Sequence, residues 1–99
     1  MELKLEEQAY TVSPTGTVEP VNPKNGTDFQ LSELKKIVGG YIEVVRLDDN
    51  MIMVVDEEGK LKRYDINPLA TDLARKYNAI AKGDFIVGKI LVCRNDQVR

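Results

Sequence analysis

Ile37, Val38, Gly39, Gly40, Tyr41, Ile42, Glu43, Val44 and Val45 constrain this chain more than any other stretch, because a helix end, a tight turn and a strand start follow one another there without a gap. Gly39 is placed to take the left-handed backbone that satisfies the last carbonyls of a helix, where a residue with a β-carbon is strained. Gly40 then lets the chain reverse into Tyr41. This stretch defines topology and carries no chemistry.

The helix that ends at Gly39 has Thr27 and Gln30 spaced as a capping box, with Leu31, Leu34, Ile37 and Val38 forming one apolar stripe. Tyr41 to Leu47 and Met51 to Val55 read as a hairpin closed by Asp48, Asp49 and Asn50. Apolar residues alternate onto both faces of the second run, which places it centrally in a sheet. Asp56, Glu57, Glu58 and Gly59 make a further turn, and Lys60 to Ile66 reads as a more exposed strand. Asn67 before Pro68 starts a second helix, whose inner face is Leu69, Ala70, Leu73, Ala74 and Tyr77.

Phe85 to Cys93 reads as a buried strand with Gly88 at a bulge or a close backbone approach, and residues 94–99 as a frayed polar tail. Near the start, Ser13, Pro14, Thr15 and Gly16 separate two short runs that form a hairpin, and Pro20, lacking an amide hydrogen, puts the second run at an edge. The expected order is β-β-α-β-β-β-α-β in a single domain over residues 1–99. That is an α+β fold, a mostly antiparallel sheet with two helices packed on one face.

The 14 Lys and Arg against 16 Asp and Glu give a net charge of −2, so no bulk positive field draws nucleic acid. Lys60, Lys62 and Arg63 read as a solvated face. No apolar run reaches the roughly 20 residues that span a bilayer, and the acidic start, Met1 to Glu7, is unlike a targeting sequence. The single Cys93 ends an apolar run and reads as a core residue; with no disulfide framework, a cytoplasmic location is expected.

The chain contains no histidine, which removes the usual proton shuttle, the commonest zinc ligand and the base of most nucleophile triads. Carboxylates remain, but Asp48 and Asp49 lie a strand's length, about 17 Å, from Asp56, Glu57 and Glu58, too far to share a site. The short Asp56 to Glu58 turn lacks the oxygen count of a calcium or magnesium loop, and the glycines match no phosphate cradle. No catalytic residue, cofactor or metal is therefore assigned. Asn67 caps its own helix in preference to binding an anion. Tyr41, Glu43 and Val45 project to one side of the sheet if Ile42 and Val44 face the helices, so they form either a contact surface or covered packing.

Val38 to Val45, Met53 to Gly59, Asn67 to Ala70 and Ile86 to Gly88 together resemble a small bacterial and phage family, the domain of unknown function numbered 3846, over roughly residues 17 to 93. The chain departs from that pattern at Gln30, where a serine or threonine cap is usual. The resemblance implies a product of phages or mobile elements, some small relatives acting as inhibitors of CRISPR nucleases, and it implies no catalytic residues. A non-enzymatic module that binds a protein partner or a second copy of itself is the expected function. The alternative is a small-ligand binder or a minimal enzyme using carboxylates with Tyr41 or Tyr64.

Overall fold

The computed structural model describes residues 8–98, so the acidic stretch Met1 to Glu7 lies outside the described residues. Alternation along the strands builds the architecture. Five strands, β1 (Ala9–Val12), β2 (Val18–Val21), β3 (Ile42–Arg46), β4 (Met51–Asp56) and β5 (Ile90–Arg94), form one antiparallel sheet in the order β2-β1-β5-β4-β3. The two helices are α1 (Leu31–Val38) and α2 (Pro68–Lys76). The α+β class and the antiparallel sheet are as expected.

Every residue of β4 is buried, and β5 is buried from Ile90 to Cys93, because each strand is covered on both faces. Met51, Met53, Val55, Ile90 and Val92 pack with Ala70 and Ala74 of α2. The alternate residues Ile52, Val54, Leu91 and Cys93 pack with Leu34 and Val38 of α1. The helices therefore lie on opposite faces, which corrects the expectation of one shared face. Strands apolar on both sides need a cover on each.

Two further corrections concern segments. Lys60–Ile66 forms turns and irregular chain in place of a strand, with one isolated bridge between Ile66 and Val87, and Phe85–Val87 precedes β5 without joining it. Residues 94–98 are tied down: the Asn95 amide donates to Asn50 O at 2.7 Å, and the Phe29 amide to Gln97 O at 2.7 Å. These bonds replace the expected fraying.

Helix α1 begins one turn later than the Thr27 and Gln30 spacing indicates. Asn25 Oδ1 accepts the amides of Thr27 and Asp28, each at 2.9 Å, and holds them in a turn, while Gln30 becomes the N-cap. The Glu33 carboxylate accepts the Gln30 amide at 2.7 Å, and this bond, with one from the Lys24 amide, holds its pKa below the ordinary value. The buried aromatic is Phe29, ahead of the helix, and Leu31 is exposed. Asn67 is fully buried and caps α2 by accepting the Ala70 amide at 3.1 Å. Its Nδ2 donates to Val12 O at 2.9 Å and Gly88 O at 2.8 Å, fastening α2 to β1 and to the approach of β5.

Gly39 closes α1 with φ 95°, donating its amide to Lys35 O at 2.8 Å. Gly39→Val places a β-branched residue at positive φ and lowers unfolding free energy by more than about 1 kcal/mol. Urea denaturation measures the loss, and an unchanged midpoint overturns the helix-stop assignment.

Candidate interaction site

β4 ends at Asp56, whose side chain is only 2% exposed. Its carboxylate accepts hydrogen bonds from Lys62 Nζ at 2.8 Å, the Tyr64 hydroxyl at 3.0 Å and the Glu58 amide at 2.8 Å. Burial pushes this carboxyl up, but the three donors together outweigh it and leave its pKa below the ordinary carboxylate value. The bond to Asp56 holds Lys62 above the usual lysine range, and Lys62 also donates to Gly39 O at 3.2 Å.

The Tyr64 ring sits where three segments have no side chain. A β-carbon on Gly39 would meet its hydroxyl at 2.8 Å, and one on Gly88, where φ is 76°, would meet ring Cδ2 at 2.6 Å. One on Gly59 would lie 2.9 Å from Val87 Cγ2 and 3.4 Å from the same ring carbon. Gly40 leaves room for the Lys62 ammonium. Asp56, Lys62 and Tyr64 thus form a structural hub.

The second feature is a cleft of about 760 Å³ beside β3 on the α2 side of the sheet. Its floor includes Val45 and Val55, which belong to the core on that side. One wall is Asp84–Val87, held to α2 because the Ile86 amide donates to Thr71 Oγ1 at 2.9 Å and Thr71 Oγ1 to Ile86 O at 3.3 Å. Lys60 pairs with Asp84 across the end of the cleft, its Nζ 4.7 Å from the Phe85 ring centre. That pairing holds the Asp84 carboxyl below its ordinary value. Leu61, 80% exposed, stands at the mouth.

Glu43 and Val45 line this cleft together, whereas Tyr41 does not. Tyr41 precedes β3 and meets α1 instead, with Lys35 Nζ 4.7 Å from its ring centre. Gly39, Gly40 and Gly88 border the hub, Asn67 and Pro68 start α2, and Asp48 turns inward to accept the Asn50 and Met51 amides at 2.8 and 2.7 Å. Lys60, Lys62 and Arg63 are all exposed, as expected of a solvated face, and Lys60 and Lys62 are in addition paired with Asp84 and Asp56. Cys93 is buried, which pushes its thiol up to about 12.

The wall residues Asp84 and Phe85 and the mouth residue Leu61 were not legible as site residues, since only the tertiary fold brings them to β3. Among the described residues, no group of three or more Cys, Asp or Glu side chains converges as metal ligands, and no helix is long and apolar enough to cross a membrane.

The hub carries a pH dependence. A carboxyl whose folded pKa is lowered adds stability above its ordinary value of 3.8, and that stability is lost as pH falls through the folded value. Acid unfolding of the native chain therefore steepens below about pH 4, whereas Asp56→Asn is less stable at neutral pH and has a flatter acid limb. Circular dichroism melts between pH 2 and 7 measure both.

The family model described as "Domain of unknown function (DUF3846)" matches residues 7–98, more of the chain than the blocks quoted from the sequence. No curated protein and no solved structure matches.

Proposed function

Because the chain belongs to the DUF3846 family, whose description assigns no activity, we propose from the geometry that it is a non-enzymatic module binding a protein partner. The observation that carries this reading is the cleft at β3, where Glu43 and Val45 face a preformed wall and Leu61 stands largely exposed at the rim. A sheet margin with an apolar floor and, at its lip, an acid in no ion pair among the described residues is the kind of surface that peptides and partner proteins use. The hub, by contrast, spends Asp56 and Tyr64 on each other.

The finer form of the reading is an accessory protein of a phage or mobile element acting on a host protein, and it is supported by the family resemblance alone. A cytoplasmic setting belongs to the same reading, supported by a single buried cysteine with no second cysteine to bridge. One observation favours a second reading: about 760 Å³ falls in the range of small-ligand sites.

Glu43→Lys leaves the melting temperature within a few degrees, since its side chain makes no ion pair among the described residues, and it removes the partner captured by the native chain from a bacterial lysate. Mass spectrometry of both captures decides. Identical captures overturn the reading, and a small molecule that raises the melting temperature while no protein is captured favours the second one.

A further inference from the structure

The two edges of the sheet are built differently. On β2 the inward bonds run through the odd-numbered residues, as the Ser13 amide bonding Thr17 O at 2.9 Å shows, so Pro20 lies on the outer edge and withholds an amide there. That edge is blocked to a further strand. On β3 the Glu57 amide donates to Tyr41 O at 2.8 Å and the Leu47 amide to Met51 O at 2.9 Å, so residues 41, 43, 45 and 47 face β4. Ile42, Val44 and Arg46 consequently turn their amides and carbonyls outward, with no strand beyond them among the described residues. No proline, glycine or bulge interrupts this edge.

The side chains beside it differ by face. On the α2 side Glu43 opens onto the cleft, near Glu57, and neither makes an ion pair among the described residues, while the cleft's Lys60 is neutralised by Asp84. On the α1 side Val44 is 47% exposed. Val44 and Arg46 point to the α1 side with Ile42 by alternation, yet both also border the cleft. With Lys60 paired to Asp84 and Asp56 to Lys62, Arg46 stands as one cation against Glu43 and Glu57, and the cleft keeps an excess of negative charge.

The geometry points to β3 as the acceptor of an extended, basic and apolar peptide segment of the partner, which adds a sixth strand and lays a Lys or Arg side chain against Glu43 and Glu57 in the cleft. The inference rests on the module reading above and names the mode and chemistry of binding. Main-chain bonds from Ile42, Val44 and Arg46 hold the strand, an apolar residue opposite Val44 covers it on the far face, and the acidic cleft selects the cation.

The test uses two fluorescent, end-capped seven-residue peptides of alternating Val and Thr, one with Lys at the centre and one with Glu. The Lys peptide binds at least about tenfold more tightly by fluorescence polarisation, and Glu43→Lys reverses that preference. Val44→Pro removes an outward amide without touching the β3 to β4 ladder, and weakens the Lys peptide by about tenfold or more while the melting curve stays cooperative. Should Val44→Pro fail to fold, the preference reversal in Glu43→Lys decides alone. Equal affinity for the two peptides, binding of neither, a folded Val44→Pro that binds as before, or self-association through β3 that the Lys peptide does not displace overturns the inference. A partner captured equally by native chain and folded Val44→Pro removes the strand-addition mode and leaves the module reading standing, whereas no captured partner removes that reading as well.

Discussion

A carboxylate withdrawn from water must be fully engaged, and Asp56 meets that demand by drawing Lys62, Tyr64 and the Glu58 amide around the end of β4. Once Tyr64 is committed to Asp56, its ring has to lie where α1 ends and β5 is about to begin, and only residues without side chains fit against it there. Val38 to Val45, Met53 to Gly59, Asn67 to Ala70 and Ile86 to Gly88 are scattered along the chain, yet they supply Gly39, Gly40, Asp56, Gly59 and Gly88 to this one place. Asn67 adds a second fastening by bonding Gly88 O. One packing requirement thus ties together stretches that are distant in the chain.

What could be read from the amino acids alone follows from how local each cause is. Gly39 as a helix stop, Asn67 and Pro68 as a helix start, and Pro20 at an edge depend on backbone rules that act within a few residues. The central position of β4 and β5 was visible in their uninterrupted apolar character, and the same character implied cover on both faces. Lys60–Ile66 misleads because its charged and apolar residues are mixed as in an exposed strand, while Lys62 and Tyr64 are in fact drawn to Asp56. Thr27 misleads because the amides a cap there would take, those of Phe29 and Gln30, go to Gln97 O and to the Glu33 carboxylate.

At the candidate site, strand alternation was enough to group Glu43 with Val45. It failed for Tyr41, which precedes the regular strand and leans toward Lys35 on α1. The opposite wall was out of reach, because Asp84 and Phe85 are delivered by Thr71 of α2, an anchoring that depends on the assembled core. The cleft therefore stands on the same scaffold as the hub and shares Asp56 with it, while the exposed Glu43 and Leu61 lie outside the hub's hydrogen bonds.

Complete enclosure of β4 has a further effect. In a sheet with one wet face, sliding a strand by a single position exposes its oily side chains, and that penalty guards the alignment. Met51, Ile52, Met53, Val54 and Val55 would merely trade one greasy layer for the other. Alignment here falls to the termini of the strand: Asp48 clamps the amide of Met51 at its beginning, and Asp56 is moored at its finish, two acids serving as the dowels of an otherwise slippery joint.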